Sequence, residues 1–418
     1  LGGNGSASDR LLLSGASAVA SGTTTLQVTN LGGLGGQTTG NGIAVVSSEN
    51  GASIQGEAFS LASPVAAGAF EYRLKSDAGG AYLSSTSTTP AAPGAGGAGA
   101  TLYRTEVPLI AALPEQLRQA NLAMLGNMHQ RVGDSGTGSA EQGTRQAWAR
   151  VLTVDRSIQQ GGTVSPSSEG RLTGFQAGTD LWATPAWRAG VYVGRLEGDM
   201  KVSGFARGLA GYGVGTNDLK NDYLGGYVGY RDEGGLYVDG VLQAGRHSVA
   251  LGTLASPVGG AKGSSLLASI EVGQAFALGA GWSLEPQLQL VHQRLSLDDT
   301  ALVGATVQQD THNGWAVRAG LRIKGEFATG AGTLQPYARL NVWRTGNGTD
   351  RARFIGPAAF TDILTPTGGT STEAALGANW QVTPAVGVYG EVGQLWASGG
   401  NTRTKGGPNA SLGVKIRW

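Results

Sequence analysis

From Gln146 to the C-terminus, apolar and polar positions alternate with a period of two. The end of the chain shows it best: Leu412, Val414, Ile416 and Trp418 alternate with Gly413, Lys415 and Arg417. That period makes strands with one apolar and one polar face. Strands are predicted near 146–153, 171–182, 186–199, 219–231, 234–247, 264–277, 280–295, 311–325, 332–345, 371–382, 385–397 and 408–418. The count is even, as closure with both ends on one side requires. The connections alternate too. Long ones fall near 154–170, 200–218, 248–263, 296–310, 346–370 and 398–407; short ones include Ala183-Thr184-Pro185 and Thr383-Pro384. A soluble sandwich has no reason to keep two classes of loop in alternation. A transmembrane barrel does, with short turns on one side and long loops on the other. The fold class predicted is all-β: a 12-stranded antiparallel transmembrane β-barrel over 146–418.

The charged face must look inward, because Arg or Lys at the lipid midplane costs about 2–4 kcal/mol. Val317, Ala319, Leu321 and Ile323 are therefore assigned to lipid, and Arg318, Gly320, Arg322 and Lys324 to the lumen. The lumen wall so assigned holds Arg150, Asp180, Asp239, Glu271, Glu285, Arg318, Arg322, Arg339 and Glu391. Trp182, Trp187, Trp282, Trp315, Trp396 and Trp418 lie near strand ends, where interfacial girdles form.

A barrel of this size is wider than the roughly eight strands whose side chains fill their own interior. A candidate occupant lies upstream. Residues 106–134 read as one amphipathic helix: Leu109, Leu113, Leu117, Ala120, Met124 and Met128 recur at three- and four-residue steps. Pro108 suits its first turn, Pro114 calls for a start or a kink, and Gly133-Asp134-Ser135-Gly136 ends it. The candidate pore-helix residues are Pro108, Leu113, Leu117, Arg118, Asn121, Met124, Asn127 and Arg131. Arg118, Gln119, Asn127, Gln130 and Arg131 would meet Asp180, Asp239, Glu271 and Glu285, with Gly178, Gly229, Gly245 and Gly273 leaving room. Residues 86–105 read as a low-complexity linker. Residues 1–85 carry short, regularly spaced β-like runs, predicted as a sandwich or the capped end of a β-solenoid.

Composition narrows the function classes. Charged residues are 14% and the net charge is +1, too balanced for a nucleic-acid partner. Cysteine is absent, so thiolate metal sites and disulfides are excluded. No run of 18 apolar residues predicts a transmembrane helix. No G-x-S-x-G, H-E-x-x-H or Walker A motif suggests an enzyme, and His129, His247, His292 and His312 read as structural or surface. No metal or cofactor is predicted. The chain opens at Leu1 without a signal peptide, which reads as a processed or truncated piece. A passive channel fits such a barrel, but a diffusion pore needs no long helix ahead of its first strand.

Leu102-Tyr103-Arg104-Thr105-Glu106-Val107-Pro108-Leu109, Leu122 to Arg131, Trp148-Ala149-Arg150, Tyr337 to Trp343 and Ile416-Arg417-Trp418 together resemble the translocator half of classical (type Va) autotransporters of Gram-negative bacteria. Asp9 to Leu13, Leu26 to Asn30 and Tyr72-Arg73-Leu74 resemble the pertactin-like end of a passenger β-helix, the autochaperone. The resemblance implies an outer-membrane barrel that exports and anchors its own passenger, with residues 1–85 outside the cell. It implies outer-membrane lipid, the barrel assembly machinery and periplasmic chaperones as partners, and a monomer. Leu412, Val414, Ile416 and Trp418 would be the assembly signal. Some members cut themselves at an Asn-Asn pair in the pore helix. Here Gly126-Asn127 stands at that place, so the attacking Asn is missing and cleavage elsewhere, as after Asn121, or none, is expected.

Overall fold

The computed structural model describes residues 1–33, 35–87, 99–134, 143–356 and 359–418. Twelve long antiparallel strands close into a barrel. They are β1 (Gln146–Gln160), β2 (Ser167–Ala183), β3 (Trp187–Ala206), β4 (Leu209–Arg231), β5 (Leu236–Thr253) and β6 (Pro257–Gln274). Then follow β7 (Trp282–Leu297), β8 (Gly314–Gly325), β9 (Gly332–Thr345), β10 (Gly369–Gln381), β11 (Val386–Gly400) and β12 (Thr402–Arg417). Every strand pairs with its sequence neighbours, and β12 returns to β1, with Ala147 opposite Ile416 and Trp148 opposite Lys415. Closure leaves no unpaired edge in the wall.

The strand ends differ from the sequence expectation. Segments read as long loops near 154–170, 200–218 and 398–407 are mostly strand; β3 and β4, for instance, are joined by Arg207-Gly208 alone. Beyond the apolar belt the outward face no longer meets lipid, so the two-residue period fades while the backbone ladder continues. Two connections do stay long. Residues 300–302, 305–310, 348–355 and 360–367 form a separate four-stranded sheet at the upper end, opposite the end that holds Trp418.

The two faces of the wall differ in exposure. Leu412, Val414, Ile416 and Trp418 are 58, 40, 51 and 62% exposed, whereas Lys415 and Arg417 point into the lumen and are buried. Exposed Val193, Leu224, Leu242, Ile270, Leu290, Leu321, Leu340, Leu376 and Val392 continue the apolar belt around the barrel. A belt so continuous needs a membrane or a partner to cover it.

The lumen holds two helices rather than the single one expected. α1 spans Glu106–Leu125 and α2 spans Met128–Val132. Gly126 takes φ 57° and ψ −161°, which breaks the helix at a conformation that glycine reaches freely. Asn127 restarts it: its side chain accepts from the Gln130 amide while Gln130 reaches back to the Asn127 amide. Pro114 lies inside α1 and removes one donor.

Above the barrel, residues 11–14, 19–20 and 24–26 pair in parallel with 43–49, 53–54 and 59–61, and 65–67, 70–77 and 80–84 add antiparallel strands. Much of the expected linker belongs to this unit. Ser87 donates to the Ala100 carbonyl, Leu102 to Ser85 and Glu71 to Leu102, so 99–104 lies along it as ordered backbone. The remainder of the linker, 88–98, lies outside the described residues, as do Ser135 and Gly136. The unit rests on the barrel rim. Arg207 binds Glu71 at 2.8 Å, the Gly68 amide donates to Gly304, and Phe70 stacks on Tyr103, which meets Phe205 edge to face.

Candidate functional site: the plugged lumen

α1 lies off-centre, against β2 to β5. Two glycines permit this approach: a Cβ on Gly194 would meet Met124 Sδ at 2.7 Å, and one on Gly204 would meet Pro108 Cβ at 2.7 Å. Leu109 and Ala112 pack there on Val202, Ala206 and Val214. The glycines that the sequence nominated have another use. The space beside Gly178 and Gly273 is filled by the rings of Trp148 and Tyr237 on neighbouring strands, and that beside Gly245 by Ser265 and His247. Leu113 and Leu117 are buried in the main apolar cluster. On the opposite side of α1 a cavity of about 110 Å³ remains, lined by Leu122, Gly126, Arg150, Glu373 and Glu391 among others.

The lower half of the lumen is a polar lock. Arg131 binds Asp239 at 2.6 Å. His129 bridges Glu285 at 2.8 Å and Asp134 at 2.5 Å. Arg322 also binds Asp134, Asn379 donates to the same carboxylate, and Lys415 donates to the Asp134 carbonyl. Gln130 donates to Glu391, and the Tyr389 hydroxyl to the Arg131 carbonyl. Arg150 caps both helix ends, donating to the carbonyls of Met124 and Gln130. These bonds satisfy C-terminal carbonyls that a helix leaves open. Within the wall, Arg318 pairs with Glu271, and Arg339 with Glu373 and Glu391.

Two expected partners fall elsewhere. Asp180 binds Arg188 and Tyr227 of the wall, and no bond joins it to the helices among the described residues. Arg118 reaches upward to Asp350 at 2.5 Å and to Glu115 at 3.2 Å. Asp350 belongs to the upper sheet and also accepts from the His312 amide, so it pins that sheet over the helix. Asn127 is engaged as a helix cap. Asn121 sits higher, its carbonyl accepting from Gln243 and its side chain meeting Gln293 and Ser265. Sequence reasoning read His129 as structural or surface and did not nominate Asp134, Lys415 or Asp350 as site residues. The one signal for Asp134 was a carboxylate directly after a helix end, a pattern that also fits a solvated turn.

The Asp350–Arg118 pair gives a direct test. In an Asp350→Ala chain, limited trypsin digestion is expected to cut after Arg351 and Arg353 several-fold faster than in the parent. Removing one partner of a buried pair costs about 3–5 kcal/mol and lowers the opening energy of its segment. Unchanged cleavage would show that the upper sheet is held otherwise.

No helix among the described residues is long and apolar enough to cross a membrane, which says nothing of strands. No group of three or more His, Cys, Asp or Glu among the described residues is placed to hold a metal ion. Comparison with known proteins places the geometry in context. The autotransporter beta-domain family matches residues 147–393, and the autochaperone domain type 1 family matches residues 1–74. The adhesin BmaC autotransporter of Brucella suis is 32% identical over 334 residues, covering 72% of this chain and 9% of the relative. The pertactin autotransporter of Bordetella bronchiseptica is 30% identical over 216 residues, covering 50% of this chain and 22% of the relative. The chain thus spans a small part of these relatives. The crystal structure of the beta domain of the Bordetella autotransporter BrkA superposes with a TM-score of 0.53 at 22% identity, covering 66% of this chain and all of that one, which supports the barrel fold.

Proposed function

The chain belongs to the autotransporter family, and from that premise we propose how its parts divide the work of exporting a passenger. The barrel resides in the outer membrane and is the translocator unit. The observation that carries the reading is the thread of the chain through its own lumen. The N-terminal unit sits on the upper rim, α1 and α2 descend inside the wall, and β1 starts at the lower end beside Trp418. A passenger attached ahead of residue 1 would therefore stand on the upper side, and the helices would anchor it there. A passive channel is a poor fit, because its conduit would be filled by these helices.

The division of labour follows. Residues 1–85 are the end of a solenoid-like passenger stem and act as the autochaperone, supported by the parallel pairing of successive strands and the family match over 1–74. Residues 106–134 are the pore plug and 146–418 the barrel. Leu412, Val414, Ile416 and Trp418 are read by the barrel assembly machinery, after periplasmic chaperones have held the unfolded chain. The unit works as a monomer in outer-membrane lipid. It performs no catalysis on an external substrate. Self-cleavage at Asn127 is disfavoured by the cap that holds its side chain.

The test uses a passenger segment with an epitope, placed ahead of residue 1 and expressed with a secretion signal. The epitope is expected on intact cells and resistant to added protease. Deleting residues 1–85 should leave export intact but make the passenger protease-sensitive. A protease-resistant passenger without 1–85 removes the autochaperone role; an epitope that never reaches the surface removes the export reading.

A further inference from the structure

The outward face of the barrel has three bands. At the lower end Trp182, Trp187, Trp282, Trp380 and Trp418 are exposed. The apolar belt lies above them. One crossing higher, about ten residues along a tilted strand, the outward positions carry exposed Arg171, Arg195, Arg246, Arg294, Arg344 and Lys405. The upper boundary thus carries cations beside two exposed rings, Trp315 and Trp396, where the lower is marked by rings. Such a boundary suits a leaflet whose headgroups are anionic.

At the closure of the barrel the belt is indented. Pairing of β12 with β1 jumps from Ala410–Thr153 to Lys405–Ser157, and pairing with β11 jumps from Asn409–Gly393 to Gly406–Leu395. β12 carries extra residues against both neighbours, and Gly406-Gly407-Pro408 occupies the break. Pro408 offers no N–H to either ladder, so the bulge falls where a proline is tolerated. Just below it a groove of about 500 Å³ opens on the outer face, lined by Val151, Thr153, Leu376, Gly390, Val392 and Leu412. Just above it stand Arg403 and Lys405, exposed and without an ion pair among the described residues. Arg171 stands beside them, with two of its nitrogens on Asp155 at 2.6 and 3.0 Å.

We propose that this sector binds a phosphate-bearing lipid of the outer leaflet, with an acyl chain in the groove and headgroup phosphate against Arg403 and Lys405. The inference rests on the outer-membrane placement above. The vertical order of the site selects the occupant: an apolar slot inside the belt and paired cations one headgroup higher match a single amphiphile with an anionic head. A free phosphate would leave the slot empty. A peptide strand would need an open sheet edge, and the closed wall has none. Arg171 lies at the flank, its guanidinium oriented by Asp155, and adds a third donor.

The test is lipid retention by the full chain, read by native mass spectrometry. The probes are the phosphorylated glycolipid of the outer leaflet and the same lipid after phosphatase treatment. The parent chain is expected to retain the phosphorylated form and largely lose the other. R403Q/K405Q should weaken retention about 25-fold, with two cations at about 1 kcal/mol each and 1.4 kcal/mol per decade. R246Q/R294Q removes the same charge from another sector and should keep the lipid. Gly390→Leu fills the groove and should release both forms. Equal retention of the two lipids by the parent chain overturns the site, with no variant needed. Equal loss in both double variants overturns its location. A parent chain that fails to show a heat-modifiable band would instead overturn the membrane placement itself.

Discussion

A chain beginning at residue 143 is expected to conduct ions across a planar bilayer, on the order of tenfold or more above the full chain. The wall has twelve strands, more than the roughly eight whose side chains fill an interior. In the full chain the excess width is occupied by α1 and α2, with Leu109, Ile110, Leu113 and Leu117 buried inside it. Removing them leaves Arg150, Asp239, Glu271, Arg318 and Arg322 facing an empty, polar passage that water will enter. The wall itself should survive, because its ladder is complete without the helices: β1 pairs with β2 and β12 along its whole length apart from the bulge. Folding is checked in the same sample by the heat-dependent mobility shift in SDS. Equal conductance with and without residues 1–142 would place the helices outside the lumen.

The wall was legible because the membrane imposes it. Lipid on one side and a polar lumen on the other force a two-residue period through every crossing, and Val317 to Lys324 reads off both faces without ambiguity. The strand extensions were hidden for the complementary reason. Around Ser203 and Tyr212 the ladder shifts register at two points, and the small Gly204 and Ala206 that let α1 approach blur the apolar period. The helix break could have been found: Gly126 before Asn127, with Gln130 three positions on, is a capping box inside an apolar period. The pairings in the lumen could not. Sequence identifies Arg131 and Asp239 as lumen charges, but which acid meets which base depends on the height of each strand, and that is set by closure. The glycines make the same point. Gly178 and Gly194 look alike in sequence, yet one accommodates the ring of Trp148 and the other the sulfur of Met124.

Asp134 is where these hidden pairings converge, and its replacement should cost the plug most. Its carboxylate accepts from Arg322 and Asn379 and lies 2.5 Å from His129 Nδ1, all buried, and its main chain is held by Asn379 and Lys415. In Asp134→Ala the main-chain bonds can persist, but the Arg322 guanidinium loses its anion in a dry site. Its ring neighbour Tyr337, 4.2 Å below, cannot replace a full charge. Breaking a buried pair in this way costs about 3–5 kcal/mol. In a barrel of this size that corresponds to a fall of about 10 °C in the temperature at which the unheated band unfolds. Asp134→Asn keeps an acceptor and the Asn379 contact, so its loss should be smaller. The two variants together separate charge from shape. A double variant Asp134→Ala/Arg322→Met removes both charges and should recover much of the stability, since neither partner is then left buried and alone. An Asp134→Ala chain as heat-stable as its parent would show that Arg322 is neutralised by other groups and that the plug is held from above, by Arg118 and Asp350.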